Sequence, residues 1–251
     1  MITSSRITRN AGRTIPCFCA VVVVLLMVAV GPVDAATLFF NTSDSQFTPG
    51  VDNQGWWGNV ATNNDPNDDY ITGSFTSQAN ETRSFFTFDL SSLSQTALSA
   101  TLEVVRYSYL SPDPSETLGL FDVTTDAATL NNNTGPDAAI FADLGSGTTY
   151  GTFVIPAYSF SNTETLTFPL NAGAIANINA STGFFSIGGA LLSLNPSNNY
   201  EFVFNTASGF GIQRLIVETA ASSAVPQPST LLLLGVGGLV SLAGTILRRK
   251  A

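Results

Sequence analysis

The sequence predicts an all-β protein, a single β-sandwich of the jelly-roll type, carried between an apolar segment at each end. Nine short runs rich in β-branched and aromatic residues fill the stretch from Thr37 to Glu218, with clusters of Pro, Gly, Asn and Asp between them. Within Ala100–Tyr107, Leu102 and Val104 alternate with Thr101 and Glu103, the period-two pattern of a half-buried strand. Helical character is confined to the Ala-rich stretch Asn171–Asn177.

The chain begins with a secretory signal peptide over residues 1–35. Arg6, Arg9 and Arg13 form its basic region, Phe18–Val30 its apolar region, and Val33-Asp34-Ala35 its small-residue cleavage site. Cys17 and Cys19, the only cysteines, fall inside the segment to be removed, so the exported part is expected to hold neither thiol nor disulfide. The sandwich is expected over 36–219. Its strands are read at Thr37–Phe40, Ser84–Asp89, Ala100–Tyr107, Thr117–Thr124, Thr149–Ile155, Glu164–Leu170, Gly183–Ala190, Tyr200–Phe204 and Gln213–Glu218. Turns separate them at Ser111-Pro-Asp-Pro, Asn131–Pro136, Gly145-Ser-Gly and Asn195–Asn199. Residues 220–224 form a small-residue linker.

The tail, 225–251, opens on Val225-Pro226-Gln227-Pro228-Ser229. An uncharged run from Leu231 to Leu247 follows, and Arg248, Arg249 and Lys250 close it. At ~1.5 Å rise per residue the run is just long enough, as a helix, for a hydrocarbon core of ~30 Å. The basic triplet behind it sets the C-terminus in the cytoplasm and everything before it outside. This tail resembles the PEP-CTERM sorting signal, with Gln227 where that family carries Glu. The resemblance implies an exported protein of an exopolysaccharide-producing bacterium, cut by an exosortase-like enzyme near Pro228 and passed to the cell surface or the extracellular matrix of a biofilm. A plain tail anchor, never processed, is the alternative that helix and charges alone allow.

Between Ala36 and Ala224 the chain has three arginines against 17 acidic residues, a net charge of −14. Such a surface repels phosphate backbones, so nucleic acid is not an expected partner. The chain has no histidine, and Lys250 is its only lysine. Ser-His-Asp, Cys-His, Ser-Lys and Schiff-base chemistry therefore cannot be assembled in the exported part, nor can the usual zinc sites. A carboxylate pair of the glycosidase kind is the one catalytic design left, and with 17 acids some close pair arises by chance. The expectation is a protein that is not an enzyme.

Two stretches are candidates for binding. Asp65, Asn67 and Asp69 sit at alternate positions in Asn63–Asp69, where their oxygens can converge on calcium, or equally serve an Asx-rich turn. Gly55-Trp56-Trp57-Gly58 holds the only tryptophans; an exposed indole there stacks on a sugar, a buried one packs in the core. Neighbours on a strand point to opposite faces, so one of the pair is expected inside and the other outside. Arg83–Leu93, followed by Leu98–Val104, resembles part of the DNRLRE-type jelly-roll surface modules, which adds weight to the fold. Asp143–Gly151 and Phe184–Gly189 resemble exported domains that precede this kind of tail. The combined expectation is a non-enzymatic surface or matrix protein, with a carbohydrate-binding module as its alternative.

Overall fold

The computed structural model describes residues 35–60, 69–74, 80–132, 136–158, 163–195, 198, 200–204 and 211–221. Residues 1–34 of the expected signal peptide, the sorting tail and most of the expected linker lie outside them, as do Asp65 and Asn67. Among the described residues no helix is long and apolar enough to cross a membrane.

The described residues form an all-β sandwich of two antiparallel sheets. The strands are β1 (Ala36–Asn41), β2 (Gln54–Gly58), β3 (Thr72–Ser74), β4 (Glu81–Asp89), β5 (Ala97–Arg106), β6 (Ser108–Leu110), β7 (Ser115–Asp122), β8 (Thr149–Pro156), β9 (Glu164–Pro169), β10 (Phe184–Leu191), β11 (Glu201–Phe204) and β12 (Arg214–Thr219). Helices α1 (Ala127–Asn132), α2 (Ala138–Asp143) and α3 (Ala172–Ala180) accompany them. The smaller sheet runs β1-β12-β5-β9, and the larger β6-β11-β3-β4-β10-β7-β8. Strand β2 lies along the free edge of β4: Ser84 pairs with Trp56 on one side and Gly189 on the other.

Each predicted strand is present, and the alternation read in β5 holds, with Leu102 and Val104 fully buried between half-buried Thr101 and Glu103. They meet Leu215 and Val217 of β12 and Phe168 of β9 from their own sheet, and Phe86, Phe88, Leu118 and Ile187 from the other. This is the shared interior that two packed sheets require. Helix α3 packs on β5 and β8. Asn171 caps it, its side-chain oxygen accepting from Gly173 N at 2.9 Å and Ala174 N at 3.2 Å, and Ala174 and Ile178 face inward.

Strand β4 is covered on both faces, which explains its nearly unbroken apolar run Ser-Phe-Phe-Thr-Phe. Phe86 and Phe88 enter the sandwich core, while Phe85 turns outward to a second core made with Trp57, Leu130, Ile140 and Leu144. That second core lies under α1 and α2, which the sequence pattern did not reveal. Asp137 caps α2 through bonds to Ala139 N and Ile140 N at 2.8 and 3.1 Å. Arg83 closes its other end, donating to Phe141 O at 3.0 Å with its guanidinium 4.1 Å above the Phe141 ring. The end of α2 reaches β10 so closely that a Cβ on Gly188 would stand 2.5 Å from Leu144 O; only glycine fits there.

Candidate functional site

The tryptophan pair divides between two environments. Trp57 is 4% exposed, packs in the second core and donates its Nε1 hydrogen to Leu130 O at 3.0 Å. A sugar cannot reach that ring, which corrects its candidacy as a stacking platform. Trp56, next along the strand, points to the opposite face and is half-buried. Of the expected calcium ligands, Asp69 is described and half-buried, and Asp65 and Asn67 lie outside the described residues.

A surface cleft of about 440 Å³ opens elsewhere, between the loop after β1 and the segment that leads from β7 into α1. Phe47 and Phe184 stand at one side with ring centroids 4.6 Å apart, and are 37% and 40% exposed. Thr124, Thr125, Asp126 and Ser186 supply polar atoms on the other walls. The loop carrying Phe47 is set by Asn53, a residue 1% exposed that accepts from Phe47 N at 3.2 Å and donates to Asp44 O at 3.1 Å.

The opposite wall rests on Asp143. Its carboxylate accepts from both backbone and hydroxyl of Thr124 (2.9 and 2.8 Å) and of Thr125 (2.8 and 2.7 Å). Burial alone would raise its pKa, but these donors favour the charged form more strongly and hold it below the ordinary 3.8. Asp126, the one acid among the described lining residues, is held low by its bonds to Thr129 at the start of α1. Neither tryptophan lines the cleft, and nothing local in the sequence joins Phe47 to Phe184, since register and loop geometry bring them together.

A second constellation gathers Asp113, Glu116 and Glu201, whose carboxylate oxygens lie within 4.8 Å of one another. Glu116 and Glu201 are each 1% exposed, and Asp113 is half-buried. Ser111 Oγ donates to Glu116 Oε1 at 2.5 Å, Ser193 Oγ donates to Glu116 Oε2, and Asn195 N donates to Glu201 Oε2 at 2.7 Å. Burial pushes the Glu201 carboxyl up, and the charge of Glu116 beside it works in the same direction. The short spacing of Asp113 and Glu116 was visible in the sequence. Glu201 was not, because only the pairing of β11 with β6, Phe202 opposite Leu110, brings it there.

Comparison with known proteins bears on the tail. Residues 224–250 match the PEP-CTERM protein-sorting motif. The chain carries a PEP-CTERM sorting tail. The match takes in Val225–Ser229 and the basic triplet Arg248–Lys250, the same residues that the sequence singles out. As a PEP-CTERM substrate the protein is exported, membrane-associated and handled by an exosortase-like enzyme. The motif does not extend into the sandwich, and no curated protein matches the PEP-CTERM chain.

Proposed function

We propose that this exported sandwich is a non-enzymatic component of the cell surface or extracellular matrix, associated with exopolysaccharide in a biofilm. The sorting tail carries the reading: the chain is committed to export and to an exosortase-like enzyme. Composition supports the non-enzymatic part, since the exported residues contain no histidine, cysteine or lysine. The geometry of the cleft supports it too. A glycosidase sets two carboxyl groups about 5–9 Å apart across the substrate, whereas the described lining offers the single acid Asp126, already engaged in capping α1. Calcium at Asp65, Asn67 and Asp69 belongs to the same proposal as a stabilising ion for an extracellular domain. The test is where the protein ends up and how it ends. Mass spectrometry of the matrix fraction is expected to find a C-terminus near Pro228, and a protein confined to the membrane fraction with Ala251 intact would overturn the matrix role.

The second reading, a carbohydrate-binding module, is favoured by the aromatic pair at the cleft. Exposed flat rings beside hydroxyl groups suit a sugar, which offers apolar C–H faces and polar edges. A glycan array run with and without calcium tests it, together with the Phe47→Ala, Phe184→Ala double variant and Trp56→Ala. Retention by the wild type, lost in the Phe47/Phe184 variant at unchanged Tm, places the ligand in the cleft. Loss in Trp56→Ala alone places it on β2. No retained glycan for the wild type rejects the module and leaves the scaffold.

A further inference from the structure

The acidic constellation of Asp113, Glu116 and Glu201 has no counter-charge of its own. The three arginines of the exported part are committed elsewhere: Arg83 to Glu81 at 3.1 Å, Arg106 to Glu164 at 2.5 Å and Arg214 to Glu103 at 3.7 Å. The chain has no histidine, and its lysine lies at position 250. Glu201 Oε1 is buried and accepts no hydrogen bond of good geometry, although Oε2 of the same carboxylate is satisfied by Asn195 N and the side chains of Asn198 and Glu116 lie beside the group. Withdrawing an anionic oxygen from water without a donor is costly, and such groups in folded proteins are paired or coordinate a metal. Here the same carboxylate lies beside two others, those of Asp113 and Glu116.

The donor chemistry points to the ion. All three ligand groups are carboxylates, the oxygen donors a hard cation takes, and one oxygen from each lies within 4.8 Å of the others, close enough to share an ion at about 2.4 Å. Magnesium demands near-ideal octahedral geometry and gives up its water reluctantly, whereas calcium accepts an irregular carboxylate set, and zinc prefers the histidine and cysteine donors that are absent from this chain's exported part. The site is also built in advance. Ser111 and Ser193 fix both oxygens of Glu116, and these hydroxyls are in turn held by Asp113 N at 3.0 Å and Thr117 N at 2.8 Å. Asp113, half-buried, gives an ion a way in.

We propose that Asp113, Glu116 and Glu201 bind one calcium ion. The ion joins β7, through Glu116, to β11, through Glu201, two strands that are not hydrogen-bonded neighbours in the larger sheet. It thereby clamps the curl that brings them together, and it fixes the turn between β6 and β7 that carries Asp113.

The test uses the full chain in detergent, stripped with a chelator and titrated with calcium chloride, followed by calorimetry and by the shift in Tm. Tyr109, whose hydroxyl donates to Asp113 O at 2.8 Å, supplies a third readout as the donor for sensitised terbium emission. Asp113→Asn and Glu201→Gln are expected to weaken calcium binding by about tenfold or more, because each removes a charged ligand. The Asp65→Ala, Asp69→Ala variant is expected to keep this binding. Should Glu201→Gln fail to fold, the more exposed Asp113→Asn decides alone. Calcium affinity unchanged in the folded variants, or no calcium uptake by the wild type because a shared proton neutralises the cluster, overturns the proposal.

Discussion

Replacing Trp57 by alanine tests the claim that the outer face of β4 is a second core and not a ligand surface. Only 4% of Trp57 is exposed, so the substitution strips nearly the whole indole from contact with Phe85, Leu130, Ile140 and Leu144. A large aromatic truncated in a packed interior costs about 3–5 kcal/mol. The loss includes the bond from Nε1 to Leu130 O, worth about 1 kcal/mol, and leaves that carbonyl without its donor. About 4 kcal/mol is a large part of the 5–15 kcal/mol typical of a whole domain. Trp57→Phe separates the terms, since it keeps most of the apolar ring and loses the bond, and is expected to cost about 1–2 kcal/mol. Urea unfolding of the chain lacking Val225–Ala251 measures both. Hydrogen exchange adds location: amides of α1 and α2 should lose protection first, because this core is what holds them to β4, while β5 and β12 keep theirs. A cost below about 1 kcal/mol for Trp57→Ala, or α1 amides as protected as before, would refute the second core.

Other perturbations have equally definite outcomes. Deleting Val225–Ala251 should convert a membrane-fraction protein into a soluble secreted one, read by cell fractionation. Asp143→Asn should destabilise the cleft wall at neutral pH by about 1–2 kcal/mol. The folded-state pKa of Asp143 lies below its ordinary 3.8, so its contribution is full above that value and disappears as the pH falls through the folded-state value. The variant should therefore show a shallower acid loss of Tm below about pH 4, and an acid profile identical to wild type would remove Asp143 from the account. Gly188→Ala should cost about 1–3 kcal/mol in urea unfolding, since its methyl group meets Leu144 O at 2.5 Å and the end of α2 must retreat.

The strands legible in the sequence are those whose residues carry their own signal. Leu102 and Val104 alternate with polar neighbours, and Phe85, Phe86 and Phe88 form an apolar run, so β5 and β4 declare themselves. Strands β3 and β6 have three residues each, and β3 contains Gly73 at a φ of 125°, so neither offers a period to detect. In β2 the glycines flanking the tryptophans mask the strand. Helices α1 and α2 have six residues each and too few turns to show an apolar stripe, although Asp126-Ala-Ala and Asp137-Ala-Ala marked both starts. Asn171 gave the same signal for α3, which runs three residues beyond the stretch read for it, to Ala180. The tail was readable because its signal is linear. The cleft and the carboxylate cluster were not, because the loop after β1 sets Phe47 against Phe184, and the pairing of β11 with β6 sets Glu201 near Glu116, contacts that no local pattern encodes.

The placement of the arginines bears on how long the protein lasts outside the cell. Between Ala36 and Ala224 the only bonds open to a trypsin-like protease follow Arg83, Arg106 and Arg214. Each of the three lies in a strand, and each side chain is engaged: Arg83 with the end of α2, Arg106 with Glu164 and Pro156 O, Arg214 with Glu103. A protease needs its target drawn out as a free strand, so cleavage at these bonds waits for the sheets to part. Secreted digestive enzymes of this specificity thus find no foothold in the closed sandwich, and the rate at which they do cut becomes a clock for its opening.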